Sequence, residues 1–204
     1  MICRLPTRSS SGRCTPSLLT GSDRTPSSFA TAVSVSDGVV LVADDALVSD
    51  GQPVDVLVRG GNSRSASVRA GLAAVPHGVS LVLVHDGARP GADVDLYTRV
   101  VNALVDGVDA VVPALAVVDT LKRLDSDGCV METVDRSDLV AVQTPQGFRR
   151  AALEAAHEGA GEATDDAALI ELAGGTVVAV QGNAMNVKVT EPNDLEFLRA
   201  VWPR

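Results

Sequence analysis

The sequence predicts an α/β fold with a doubly wound, mostly parallel sheet, and three observations predict it. From about residue 38 onward, short Val-rich runs alternate with stretches of helical spacing, the pattern of strand–helix–strand crossovers. Apolar residues make up 46% of the chain but aromatics only 2%, so the core has to be built from Val, Ala and Leu, which suits parallel strands covered on both faces. The 204 residues show no internal repeat and no interior linker, which fits one domain with a sizeable core.

Taken in order, GVVLVAD (38–44) and PVDVLVRGG (53–61) read as strands. SRSASVRAGLAAV (63–75) has helical spacing after a glycine turn, with Ser63 as its N-cap. SLVLVHD is the next strand, and a helix entered near Asp93 follows over 92–107. VDAVVPAL (108–115) is another strand. The alternation breaks between Leu115 and Gln143, where extended segments flank Asp127-Gly128, a hairpin signal. A hairpin inserted in such a sheet is expected to project from it and to clasp a second subunit. The stretch 133–148 is mixed, with short extended pieces. Helices are expected at 149–160 and 164–175, the second capped by Thr164 and ended by Gly174 and Gly175. Strands at 176–182 and 186–190 and a closing helix at 191–202 complete the chain.

The net charge of −9 argues against a general nucleic-acid or anionic-membrane surface, though a few cations can still line one pocket. No apolar run approaches a membrane span, and no signal-peptide core is expected. Cys3, Cys14 and Cys129 are odd in number and widely spaced, which points to a reducing compartment and a cytoplasmic protein. Residues 1–32 are a separate matter: rich in Ser, Thr, Arg and Pro, they show no periodicity and are expected to form an atypical, disordered segment ahead of a single domain over 33–204.

In open α/β sheets, ligands sit beyond the carboxyl ends of the strands. That rule selects Gly60–Ser67, His85–Arg89 and the stretch after Val112. In GGNSRSASV (60–68), two glycines precede a helix N-terminus, which offers free N–H groups to an anion, with Arg64 and Ser67 beside it; the same residues also make an ordinary capped turn. In HDGARP, Asp86 suits substrate hydroxyls or a magnesium ion and Arg89 suits a phosphate, or the two pair to hold the loop. His85 reads as packing rather than catalysis. Asp165 and Asp166 suit the first turn of a helix. Lys188, one of only two lysines, points opposite to Val187 and Val189, either to solvent or into a pocket as a phosphate ligand.

Read in series, GGNSRSASVRAGL, VHDGARP, VVDTLKR, TVDRSDL, QTPQGF, TDDAALIE and NVKVTEPNDL resemble the 2-C-methyl-D-erythritol 4-phosphate cytidylyltransferases of the non-mevalonate route to isoprenoids, over residues 38–204. The resemblance implies a Rossmann-like nucleotidyltransferase sheet and a homodimer whose arm, about 117–142, interlocks with its twin. It implies transfer of a cytidylyl group from CTP to methylerythritol phosphate, with magnesium and release of pyrophosphate. By position, Gly61, Asn62, Arg64 and Ser67 would contact the nucleotide. Asp86, Arg89, Thr144, Thr164 and Lys188 would line the acceptor pocket, and Thr120 and Arg136 would reach in from the partner's arm. Lys188 and Arg136 would act in catalysis. No residue is expected as a dedicated metal ligand.

The same resemblance implies an initial strand followed by a glycine-rich loop with an arginine and then Pro-Lys. Residues 1–32 carry no such segment, and no lysine precedes Lys122. An altered reading frame or a misplaced start accounts for this better than a transit peptide. Two expectations follow: an open gap where a central strand belongs, and activity far below that of relatives. Two further readings stay open, a non-catalytic homologue that keeps its fold and dimer, and a nucleotidyltransferase for another polyol or sugar phosphate.

Overall fold

The structure is a computed structural model that describes residues 2–4, 32, 34–43, 54–159 and 163–201. Its elements in chain order are β1 (Ile2–Arg4), β2 (Gly38–Ala43), β3 (Val56–Arg59), α1 (Arg64–Ala73), β4 (Leu81–Val84), α2 (Val94–Ala103), β5 (Ala110–Ala116), β6 (Leu121–Leu124), β7 (Val130–Val134), β8 (Val140–Val142), β9 (Gln146–Arg149), α3 (Arg150–Gly159), α4 (Asp166–Leu172), β10 (Val177–Gln181) and α5 (Pro192–Val201). Apart from Ile2–Arg4 and Ala32, the expected disordered segment 1–32 lies outside the described residues.

Eight strands form one sheet in the order β10-β5-β9-β4-β1-β2-β3, with β8 also paired to β5. Period-2 alternation assigns its two faces. Val40, Val82, Val84, Ala110 and Val112 face a core shared with Val68 and Leu72 of α1, Leu153 of α3 and Leu169 and Ile170 of α4. Val39, Leu83 and Val111 face the other side, against Leu96, Tyr97 and Val100 of α2. Helices therefore cover both faces. Leu83, Tyr97, Phe148 and Leu153 are fully buried, each large side chain contributing about 1.5–3 kcal/mol.

The expectation of a mostly parallel sheet is corrected. Among the described residues, only β10–β5 and β2–β3 pair in parallel. The ladders β1–β2, β1–β4, β4–β9, β5–β9 and β5–β8 are antiparallel. The strands β2, β3, β4, β5 and β10 do run the same way, but β1 and β9 are inserted between them in reverse. Periodicity marks a strand without marking its direction, so the QGF segment held no sign of this. The expected gap is also absent, since Ile2–Arg4 fills the slot between β2 and β4. It fills it backwards: Ile2 pairs with Val84 at the carboxyl end of β4 and Arg4 with Val82.

The segment Asn186–Thr190, expected as a strand, joins no ladder. It is tied instead by single contacts, such as Val189 N–H donating to the Ala88 carbonyl at 2.8 Å. The helix cap is corrected too: Asp165, not Thr164, caps α4 by accepting from Ala168 N–H. Ser63 and Asp93 cap α1 and α2 as expected. Gly174, at φ +78°, follows α4 in the conformation that ends helices.

β6 and β7 form a separate two-stranded sheet. Its turn is organised by Asp125, whose side chain accepts from the N–H groups of Asp127 and Cys129. β8 and β9 then lie end to end along one edge of β5, but the register slips between them. Val142 faces Ala114 and Gly147 faces Val111, five steps against three. The two surplus residues fall within Gln143–Pro145: Gln143 N–H still donates to the Pro113 carbonyl at 2.7 Å, and beyond it Thr144, with a cis peptide to Pro145, lies at the carboxyl end of β4.

Candidate active site

Three adjoining clefts open at the carboxyl ends of the co-directional strands. One, of about 390 Å³, is lined by Val42, Ala43, Arg59, Gly60, Gly61, Asn62 and Ser67. A second, of about 150 Å³, lies between Arg64, Ser67 and the His85–Gly87 loop. The third, of about 180 Å³, contains Arg64, Asp86, Arg89, Thr144, Thr164 and Lys188.

The first cleft is shaped by the turn before α1. Ser67 Oγ accepts from Gly61 N–H at 3.1 Å and donates to the Ser63 carbonyl at 2.9 Å. This folds the turn back on the helix so tightly that a Cβ on Gly61 would stand 2.5 Å from Ala66 Cβ. Only glycine allows that approach. Gly61, Asn62 and Ser67 therefore line one cleft together.

Arg64 does not join them alone. Its guanidinium donates to Asp166 at 2.7 Å and lies 4.0 Å from Asp86. Asp166 is fully buried, and its second oxygen is 3.0 Å from His157 Nε2. Burial opposes the charge on Asp166, but the hydrogen bonds from His157 and Arg64 outweigh it and hold its pKa below the usual carboxylate value. Burial likewise opposes the charge on Arg64, and the bond to Asp166 with the nearby Asp86 and Asp165 carboxylates raises its pKa. Asp166 and His157 were missed as site residues: an acid in a helix's first turn looks the same whether it meets solvent or a cation.

In the third cleft, Lys188 Nζ lies 3.0 Å from Asp86. Burial pulls the Asp86 pKa up, but the Lys188 hydrogen bond and the charges of Lys188, Arg64 and Arg89 pull it further down. Arg89 donates to the Asn186 carbonyl at 2.8 Å, while its buried Nε has no partner among the described residues. Burial lowers the Arg89 pKa, with Asp86 opposing. Asn186, also missed, is wholly buried and bonds the Thr144 carbonyl at 2.7 Å. It thereby locks the bulged Gln143–Pro145 segment to the lysine-bearing strap. Thr164 lines the cleft. Thr120 and Arg136 line none of the three clefts; both are exposed near the β6–β7 hairpin, and Arg136 donates to the Val117 carbonyl.

His85 is 2% exposed at the floor. Burial, above all, lowers its pKa to about 4, so it is neutral at pH 7. That fits a structural role, as expected.

Fold and clefts together define a class: an α/β protein that gathers cations and hydroxyls at one rim, beside a glycine turn opening a helix, the arrangement that handles phosphate esters. The sequence profile of 2-C-methyl-D-erythritol 4-phosphate cytidylyltransferase matches residues 23–202. The "2-C-methyl-D-erythritol 4-phosphate cytidylyltransferase" of Streptomyces avermitilis is 46% identical over 156 residues, 73% of this chain and 62% of that protein. The "Bifunctional enzyme IspD/IspF" of Oleidesulfovibrio alaskensis is 49% identical over 148 residues, 70% of this chain and 37% of that one. The crystal structure of the Thermus thermophilus cytidylyltransferase superimposes with a TM-score of 0.77 at 36% identity, covering 85% of each chain. The chain belongs to the 2-C-methyl-D-erythritol 4-phosphate cytidylyltransferase family of transferases. It spans 37% to 38% of the length of several bifunctional relatives it matches. Among the described residues, no helix is long and apolar enough to cross a membrane.

Proposed function

We propose that this chain transfers a cytidylyl group from CTP to 2-C-methyl-D-erythritol 4-phosphate, releasing pyrophosphate. The observation that carries the reading is the convergence of Arg64, Arg89 and Lys188 around Asp86, next to the Gly61–Ser67 turn. An acceptor phosphate oxygen attacks the α-phosphorus of CTP. The new P–O bond forms as the bond to the bridging oxygen breaks, and pyrophosphate leaves with that oxygen. The nucleophile is already ionised, so no general base is needed and neutral His85 has no proton to carry. The protein's work is to bring two polyanions together and neutralise them. Gly61, Asn62 and Ser67 hold the nucleotide; Arg89 and Lys188 hold the acceptor phosphate; Asp86, Thr144 and Thr164 hold its hydroxyls.

The donor set suits a magnesium ion brought by the nucleotide. Among the described residues no group of three acids, imidazoles or thiols could hold one, and Asp86 offers a single carboxylate. Such an ion supplies charge neutralisation on the triphosphate.

The partner in this reading is a second copy of the chain. The hairpin region carries exposed Val118, Leu124, Val130, Met131 and Val140, an apolar surface that a twin arm would cover. Thr120 and Arg136 would then reach the partner's cleft. A cytoplasmic location and the absence of nucleic-acid or membrane partners belong to the same reading.

A second reading is an enzyme of greatly reduced rate. No lysine precedes Lys122, and β1 runs toward the end of the sheet away from the clefts, with Arg4 paired to Val82. Radiolabelled CTP, the acceptor and magnesium, with pyrophosphate release as readout, test both. Turnover to the CDP-alcohol at a family-typical rate supports the first; CTP binding by calorimetry without turnover supports the second; neither binding nor turnover overturns both.

A further inference from the structure

Resting on that reading, we infer that His85 sets the hydrogen-bond polarity of Thr144, so that Thr144 meets a ligand only as an acceptor. The ligand atom it takes is then a hydroxyl donor and not a phosphate oxygen.

The protons run around a short loop of contacts. His85 Nε2 lies 3.1 Å from the Arg89 carbonyl. A carbonyl can only accept, so Nε2 carries the ring proton. The opposite tautomer would set two lone pairs against each other at that distance. A neutral imidazole has one N–H, so Nδ1 keeps its lone pair, and it faces Thr144 Oγ1 at 3.0 Å. The single hydroxyl proton of Thr144 is committed there. Asp86 N–H donates to the same oxygen at 3.0 Å and takes one of its two lone pairs. One lone pair is left. Thr144 lines the third cleft, so any group reaching that oxygen has to bring a proton.

Gln146, on the same cleft, is oriented with the same polarity. Its Nε2 donates to Asp165 at 2.9 Å, and a carboxylate only accepts, which fixes the amide. Its Oε1 is buried with no partner among the described residues. Thr144 therefore offers the cleft an acceptor, while Arg64, Arg89 and Lys188, on the same cleft, are donors. A polyol phosphate in this cleft then lies with its phosphate toward the cations and one hydroxyl toward Thr144. His85 and Gln146 are positioning residues in this arrangement, because each acts through the group it orients.

Two measurements test it. The first is nitrogen NMR of protein labelled in its imidazole rings. The inference expects His85 as the neutral, Nε2-protonated tautomer at pH 7; an Nδ1-protonated ring or an imidazolium overturns it, whatever the protein does. The second is calorimetry on wild type, Thr144→Ser and Thr144→Val with inorganic phosphate, 2-C-methyl-D-erythritol 4-phosphate and its monodeoxy analogues. Thr144→Val is expected to weaken the parent ligand about 5- to 10-fold, the size of one neutral hydrogen bond. It should leave inorganic phosphate unchanged and cost nothing for the one analogue that lacks the hydroxyl read there. Thr144→Ser should keep parent affinity. Equal losses for phosphate and for every analogue overturn the inference. If wild type binds inorganic phosphate but no polyol phosphate, the proposed function falls with the ligand assignment, and the imidazole spectrum still decides the polarity of Thr144. Should Thr144→Val fail to fold, the spectrum and Thr144→Ser carry the test.

Discussion

Lys188 and Asp86 form an ion pair at 3.0 Å, on an ammonium about half exposed and a carboxylate mostly covered. Asp86 thus holds the lysine at the mouth of the third cleft, where, in the proposed function, an entering phosphate would compete for it. Lys188→Met is expected to lower kcat/KM for the acceptor about 100- to 1,000-fold, as removal of a charge-stabilising donor typically does. Affinity for CTP, read at the neighbouring cleft, should change little. Steady-state kinetics with both substrates, alongside CTP calorimetry, checks this.

The pair Arg64–Asp166 predicts an asymmetry in stability. Asp166 is wholly buried, whereas Arg64 is 30% exposed and also faces Asp86. Arg64→Met leaves a buried carboxylate with only His157 beside it. That should cost about 3 kcal/mol, in the range for stranding a buried charge. Asp166→Asn strands a cation that still meets solvent and Asp86, so it should cost less. Urea unfolding of the two variants gives the order; the reverse order would mean that Arg64, not Asp166, is the buried charge.

Neutral burial of His85 makes stability depend on pH in a defined direction. The folded pKa is about 4, against about 6.5 for a free histidine. Between these values the unfolded chain binds a proton that the folded chain refuses. Stability therefore rises from pH 4 to 6.5 and is lost as pH falls through that window, by about 3 kcal/mol in all. Asp86 and Asp166, whose pKa values are lowered on folding, add their loss only below the ordinary carboxylate range. His85→Asn offers Thr144 an acceptor without a titrating ring. Its unfolding free energy should be flatter over pH 4–6.5 than that of wild type, and parallel curves would refute the assignment.

Much of this site was legible because its parts are local. Ser63 and Asp93 announce helix starts, and the run from Leu81 to Asp86 announces a strand that ends in chemistry. Arg64, Arg89 and Lys188 were each named as candidate ligand-binding cations, and they line one cleft. What stayed hidden depends on partners far along the chain. Asp166 meets Arg64 across 102 positions, and Thr144 meets His85 across 59. Strand direction was hidden for a similar reason: β9 is reversed because the chain returns from the hairpin through β8 along one edge of β5. Nothing in the composition of Gln146–Arg149 records that path. Asn186–Thr190 has the alternation of a strand but finds no neighbour edge, so pattern without a pairing partner misled.

The hairpin yields a prediction about where a second copy acts. Leu124 and Met131 are 54% and 65% exposed and lie on β6 and β7. Replacing both with Glu should leave the fold of the single chain intact, since side chains that are exposed within the chain contribute within about 0.5 kcal/mol to its own stability. If arms interlock, the double variant should sediment as a monomer where wild type is a dimer. A stricter experiment asks whether Arg136 works across that interface. In the proposed homodimer, Arg136→Met and Lys188→Met chains would each break every site. When the two are unfolded together and refolded, a mixed dimer contains one cleft with Lys188 from one chain and Arg136 from the other. Activity that neither variant shows alone is the expected result. No recovery, with mixed dimers verified by mass, would mean that Arg136 does not act across the interface, and an Arg136→Met homodimer of full activity would place it outside the site altogether.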